Sequence, residues 1–312
     1  MPDPVLTNSV TTLTRYRGRF APSPTGPLHF GSVVAALASY LDARKAGGTW
    51  LVRMEDLDPP REVKGSASDI LRTLENLQLC WDESVVYQSQ RTAAYAAALE
   101  QLEKAELLYP CRCSRLLLAG QPIYPGTCRL QPVSNRHDAA IRCRVPPRTF
   151  AFTDRLQGHY QQQLDSEVGD FILLRRDGWF AYQLAVVVDD GWQQITDVVR
   201  GCDLLDSTPR QIFLQQQLGL PVPRYMHIPV IIDHAGLKLG KQQNARRVDA
   251  DAASRVLWNA LCHLQQAPEP QLRQEPASII LGWAVQHWQP APLYALRQIR
   301  EQADGDTLLS HS

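Results

Sequence analysis

The chain is 312 residues long, 44% hydrophobic and 21% charged, a globular composition that excludes disordered and fibrous classes. Thirty-two basic residues balance 32 acidic ones, so bulk positive charge cannot hold nucleic acid and any such contact must be local. The longest apolar runs, 32–41 and 184–188, fall far short of the roughly 20 residues of a membrane span. The first residues lack the apolar stretch of a secretory signal, so a cytoplasmic protein without a membrane partner is expected.

Residues 1–15 show no periodicity. Residues 17–22 read as a short strand entering the Pro/Gly turn of PSPTGPLHFG, and from 29 to 44 apolar residues recur at helical spacing (Val33, Leu37, Leu41). Residues 49–54 suit a buried strand, and EDLDPPRE a polar loop. Stretches 66–79 and 89–107 read as amphipathic helices, each with a serine able to cap its first turn. From 109 to about 160 the composition turns to Cys, Pro and Arg, with strand-like pieces at 140–145 and 149–153. Beyond 170, segments 171–175, 180–188 and 195–200 read as strands or short buried segments, 209–218 as a helix and 227–232 as a strand. After 249 the pattern is helical: 254–266, 276–288 and 292–302. The whole is an α/β pattern, interrupted by an insertion and followed by a small helical region.

Three clusters carry chemistry. A strand, a Pro/Gly turn and a helix opening at His29 form the arrangement that offers a helix N-terminus to phosphate. Gly26 and Gly31 permit close backbone approach, and His29 can donate to phosphate oxygens. Of the 32 basic residues 27 are Arg and five are Lys, yet Lys238 and Lys241 fall together in KLGKQ. Seven cysteines without a signal peptide argue against a disulfide framework. Cys111, Cys113 and Cys128 lie close together, whereas zinc wants four ligands; Tyr124, Cys143 and His137 are all available as the fourth.

PSPTGPLHFG resembles the first signature of class I aminoacyl-tRNA synthetases, and RFAPSPTG resembles its glutamyl/glutaminyl branch, with Ser32 in place of the signature's second His. KLGKQ resembles the second signature, Lys-Met-Ser-Lys-Ser, with Gly240 where the family has Ser. The resemblance runs from about Arg17 to Arg247. It implies a Rossmann-like parallel sheet whose halves are 1–110 and 171–250, a zinc-bearing insertion at 111–170 and a C-terminal helical region at 251–312. It also implies ATP as substrate, with Mg²⁺. Catalytic roles fall to His29, Lys238 and Lys241, the lysines stabilising charge that builds as adenylate forms. Pro22, Thr25, Gly26, His29, Gly31, Ser32 and Lys241 would bind ATP.

For the amino acid, the resemblance implies a pocket of Arg19, Phe20, Ala21, Pro22, Ser23, Glu55, Tyr182 and Arg200. Arg19 and Arg200 would hold the side-chain carboxylate of L-glutamate, Glu55 its α-ammonium, and the Tyr182 hydroxyl would fix orientation. Val186 stands where the longer glutamyl enzymes have a polar residue, which suggests a weakened glutamate contact. Cys-x-Cys followed by Tyr-x₃-Cys matches the glutamyl-Q tRNA(Asp) synthetases, whose zinc set would be Cys111, Cys113, Tyr124 and Cys128, with a structural role. The stretch after Arg247 suits two or three helices rather than an anticodon-reading module, which is also the pattern of that truncated family. Its members activate glutamate without tRNA and esterify it onto the cyclopentene-diol of queuosine in tRNA(Asp). Expected partners are therefore L-glutamate, ATP and queuosine-bearing tRNA(Asp), with no DNA, and the chain is read as a monomer. RNA loops are read by stacking, and the candidate platforms are Arg112, Arg115, Arg129, Arg136, Arg142 and Arg144 with Tyr109, Tyr124 and Phe150. The alternatives are a glutamyl-tRNA synthetase charging tRNA(Glu) and a synthetase-like regulator without catalysis.

Overall fold

The computed structural model describes residues 15–114, 116–131, 138–233, 236 and 252–300. The KLGKQ stretch, Arg115, Arg136 and His137 lie outside them. The fold is α/β, as expected. β1 (Arg17–Phe20) leads through the Pro/Gly turn into α1 (Phe30–Lys45), and β2 (Thr49–Met54) returns parallel to β1 with Arg17 opposite Thr49. Buried on both faces, α1 carries Val33, Ala36, Leu37 and Leu41 into the core, and Arg44 and Lys45 complement its C-terminal dipole.

α2 (Ser66–Asn76), β3 (Val86–Tyr87) and α3 (Thr92–Lys104) follow. The serine caps expected for these helices are not used. Gly65, at φ 84°, caps α2, and a 3₁₀ turn, Gln88–Arg91, leads into α3. Ser66 is instead drawn inward, its Oγ donating to Gly26 O (2.6 Å) and accepting from Gly26 N (3.0 Å).

β4 (Leu108–Cys111), the short α4 (Thr127–Leu130) and β5 (Ala140–Cys143) begin the irregular middle of the chain. β6 (Thr149–Asp154) and β7 (Gly158–Gln163) form a hairpin, and the short α5 (Leu164–Glu167) leads to β8 (Phe171–Leu174). β4, β5 and β8 make one antiparallel sheet.

Of residues 180–188, read as strand or buried segment, those from Tyr182 onward belong to a helix, α6 (Tyr182–Trp192), while Phe180 bridges antiparallel to Leu174. Leu184, Ala185, Val186 and Val187 are all buried, so the run shows no amphipathic period, and packing on all sides overrides the β preference of valine. β9 (Asp197–Gly201), α7 (Thr208–Leu218) and β10 (Arg224–Ile228) complete a five-stranded parallel sheet in the order β10-β9-β1-β2-β3. The strand expected at 227–232 is two, because Pro229 cannot donate to a ladder and separates β10 from β11 (Val230–Ile232). α8 (Ala253–His263) and α9 (Ala277–His287) are helices as expected, but of the helix expected at 292–302 the described part, 292–300, is not: a 3₁₀ turn, Ala291–Leu293, precedes β12 (Gln298–Arg300), which pairs parallel with β11. α8 and α9 pack on α1 in one apolar core with β1 and β2, while α6 and α7 share a second core with β5 and β8. Among the described residues no helix is long and apolar enough to cross a membrane.

Candidate active site

β1 sits between β9 and β2, and the chain leaves β1 and β9 in different directions at their carboxyl ends, the kind of switch point where open parallel sheets bind ligands. A cavity of about 440 Å³ opens there. Phe20, Ala21, Pro22, Ser23, Gly26 and the α1 opening (His29, Gly31, Ser32) line it. Arg19, Glu55, Tyr182 and Arg200 line it too. The fold thus gathers around one space residues spread over 182 positions of sequence, from Arg19 to Arg200. Thr25 is set apart: its N–H donates to Ser23 O (2.8 Å) within the turn, and it does not line the cavity. Lys238, Gly240 and Lys241 lie outside the described residues.

The part of the lining at the α1 opening is built by backbone. His29 is the N-cap of α1, its Nδ1 accepting from Ser32 N (3.2 Å), and Gly26, at φ 136°, holds a conformation L side chains rarely adopt. The exposed N–H groups and dipole of a 16-residue helix therefore face the cavity end of the turn.

The charged lining residues belong to a buried network. Arg19, 3% exposed, forks onto Asp190 of α6: Nε to Oδ1 at 3.0 Å and Nη2 to Oδ2 at 3.3 Å. Arg53 on β2 reaches the same carboxylate (2.8 Å) and Gln193 (2.7 Å). Burial would raise the Asp190 pKa, but the two guanidiniums outweigh it and hold the group below the usual carboxylate range. Asp189 is occupied elsewhere, accepting from Gln88, Arg91 and Tyr95. Glu55 projects from the end of β2, its side chain 11% exposed and its nearest cation, Arg53, 3.9 Å away. Burial dominates there and pushes its pKa to about 7, against the pull of Arg53 and Arg19.

Arg200 is held at every edge. Its Nη1 donates to Tyr182 Oη (3.3 Å), its Nη2 to Thr208 Oγ1 (2.8 Å) and Leu204 O (3.4 Å), and its Nε to His227 Nε2 (3.0 Å). His227 in turn meets Asp154 Oδ2 at 2.6 Å. Asp190, Arg53, His227 and Asp154 were missed by sequence reasoning; the signal for Asp190 was a charged pair closing a fully apolar run. Val186, expected to weaken a glutamate contact, is 1% exposed in the second apolar core and does not line the cavity.

At the edge of the antiparallel sheet, the thiols of Cys111, Cys113 and Cys128 lie within 4.8 Å of one another. Cys113 and Cys128 sulfurs are 3.6 Å apart, close to the roughly 3.8 Å edge of a tetrahedron with Zn–S bonds of about 2.3 Å. The Tyr124 hydroxyl sits among them, 3.4 Å from Cys111 Sγ and 3.7 Å from Cys113 Sγ, while Cys143 is buried in the separate second core. The donor set fits a soft cation. Burial alone would raise the Cys111 thiol, but donation from Tyr124 and Arg142 brings it down to about 7. Arg142 is buried, its guanidinium 3.7 Å from the Tyr124 ring centroid and bonded to Cys111 and Asp170 O; Tyr109 and Phe150 are buried as well. These three are core residues rather than stacking platforms. Arg112 is exposed, and Arg129 and Arg144 are partly so.

Comparison with known proteins agrees with this geometry. The catalytic-domain family "tRNA synthetases class I (E and Q)" matches residues 15–119 and 131–262. A glutamyl-Q tRNA(Asp) synthetase of Pseudomonas aeruginosa is 57% identical over 274 residues, 88% of this chain and 93% of that protein. The crystal structure of a glutamate tRNA ligase from Elizabethkingia meningosepticum in complex with its amino acid superposes with TM-score 0.65 at 29% identity, over 73% of this chain. The chain spans about half of that longer protein, 52%. The glutamate-tRNA synthetase of Elizabethkingia anophelis, 23% identical, shares the fold at TM-score 0.77 over 93% of this chain and 68% of its own. The chain is a ligase that belongs to the class I tRNA synthetases of the E and Q type and, within them, to the glutamyl-Q tRNA(Asp) synthetase family.

Proposed function

We propose that the chain activates L-glutamate with ATP to glutamyl-adenylate, without needing tRNA, and transfers the glutamyl group to the queuosine cyclopentene-diol of tRNA(Asp). The observation that carries this reading is one cavity lined by two kinds of group: a helix N-terminus suited to triphosphate, and a buried set of Arg19, Arg200, Glu55 and Tyr182 suited to an amino acid with a carboxylate side chain.

In this reading Arg200, helped by Arg19, pairs with the side-chain carboxylate. Arg19 gives Asp190 its Nε and Nη2, so Nη1 is the edge Asp190 does not use. Glu55 takes the α-ammonium. Arg200 is held by neutral acceptors alone, so a substrate lacking the second carboxylate leaves its buried charge without a counter-ion, which is how such a site rejects glutamine. Phe20, Ala21, Pro22 and Ser23 wall the amino acid, and Pro22, Gly26, His29, Gly31 and Ser32 cradle ATP with its Mg²⁺, Thr25 bracing the turn through its bond to Ser23 O. Lys238 and Lys241 stabilise the charge that develops on the α-phosphate and the departing pyrophosphate.

Cys111, Cys113, Tyr124 and Cys128 are proposed to hold one zinc ion, which would cross-link the 111–170 insertion between the two halves of the catalytic domain, 1–110 and 171–250, with 251–312 as a separate C-terminal region. The chain is proposed to act as a cytoplasmic monomer. The 57% identity to a protein named glutamyl-Q tRNA(Asp) synthetase supports queuosine as acceptor. ATP–pyrophosphate exchange with glutamate and no RNA tests the first half: exchange supports the reading. Exchange only in the presence of tRNA favours a tRNA(Glu)-charging enzyme, and none under either condition favours a non-catalytic regulator.

A further inference from the structure

We propose that His227 positions Arg200 for the substrate's side-chain carboxylate, and that Asp154, at the end of β6, fixes the imidazole tautomer that lets it do so. The inference rests on the reading of Arg200 given above. An arginine Nε–H only donates, so its 3.0 Å contact requires a lone pair on His227 Nε2. The proton of the neutral ring is then on Nδ1 and donates to Asp154 Oδ2 at 2.6 Å. Only this tautomer satisfies both neighbours.

The carboxylate that selects it is itself immobile. Asp154 is 2% exposed, and its oxygens also accept from the N–H groups of Leu156, Gln157 and His227. The next residue, Arg155, forks onto Asp42 of α1 (2.5 and 2.8 Å), which docks the hairpin against the central domain. His227 is fully buried, and burial with the nearby Arg200 and Arg19 lowers its pKa to about 4 despite Asp154, so the ring stays neutral at physiological pH. With Nε on His227 and Nη2 on Thr208 and Leu204, the guanidinium is fixed in plane, and Nη1 meets the hydroxyl of Tyr182, a fellow cavity-lining residue. A residue of the hairpin thereby sets the direction of a charge in the amino-acid site.

Two variants separate positioning from packing. His227→Asn keeps a donor toward Asp154 and has no atom at the Nε2 position; His227→Gln reaches that position and can turn its carbonyl oxygen to Arg200. In glutamate-dependent pyrophosphate exchange, His227→Asn should raise the KM for glutamate about tenfold or more, with kcat and the KM for ATP within about threefold of wild type. His227→Gln should recover most of the loss. In an Arg200→Ala background His227→Asn should add nothing, because the group it positions is gone. If the Asn variant does not fold, Asp154→Asn serves. Its carbonyl oxygen can still accept from backbone N–H groups, while its amide forces the ring proton onto Nε2, against Arg200; the same rise in KM is expected. An equal fold-change in both backgrounds, a Gln variant no better than Asn, or a wild-type KM in Asp154→Asn overturns the proposal. Arg200→Ala with an unchanged KM for glutamate instead overturns the pocket reading on which it depends.

Discussion

Glutamate binding should be pH-dependent through Glu55. Its carboxyl is nearly enclosed, and burial lifts its pKa from the ordinary 4.5 to about 7. A substrate ammonium pairs with the carboxylate form, so binding must first deprotonate whatever fraction is neutral. With a pKa of about 7, roughly nine-tenths is ionised at pH 8, about half at pH 7 and about a tenth at pH 6. The KM for glutamate should therefore rise about tenfold between pH 8 and pH 6, while the substrate's own γ-carboxylate, with a pKa of about 4.3, stays ionised throughout. Pyrophosphate exchange at several pH values measures this, and Glu55→Gln should show a raised KM with no slope. The stability sign runs the other way. A carboxyl raised in the fold contributes most below its unfolded pKa and loses that contribution as pH rises to about 7. Glutamate supplies the missing partner, so the melting shift it induces should be larger at pH 8 than at pH 6. A KM for glutamate that stays flat from pH 6 to pH 8 refutes the assignment of Glu55 to the ammonium.

Asp190→Asn would leave Arg19 and Arg53 buried against a neutral amide, and should cost about 3–5 kcal/mol of stability by chemical denaturation, with glutamate-dependent exchange down more than tenfold; wild-type stability would contradict the network. Purified protein should carry about one zinc per chain, and Cys113→Ser should lose it and lower the melting temperature; metal-free protein with unchanged melting would refute the site. Lys241→Ala should lower kcat strongly with little change in the KM for ATP, and an effect confined to that KM would remove it from the transition state.

Much of the site was legible because its residues sit in local motifs. The turn from Ser23 to His29, the Cys-x-Cys with Tyr124 and Cys128, and the pairing of Tyr182 with Arg200 come together in space as their motifs suggest. What escaped was long-range pairing. Nothing near Arg19 in sequence points to Asp190, 171 positions away, and Asp154 meets His227 only because a hairpin folds back over β10. The helix at 182–192 was hidden by burial on all sides, which erases the 3.6-residue period. β12 was hidden for a related reason: a three-residue strand paired with distant β11 leaves no local pattern to read.

The acceptor is the central claim, and one substrate tests it most directly: tRNA(Asp) carrying queuosine but trimmed of its 3′-terminal adenosine. The nucleoside's vicinal diol resembles the 2′,3′-diol of a terminal ribose, so one adenylate geometry could serve either. Glutamate should be transferred to the trimmed tRNA as well as to the intact one, as a base-labile ester, and not to an otherwise identical transcript lacking queuosine. Loss of acceptance on trimming, or better acceptance by tRNA(Glu), would contradict the account.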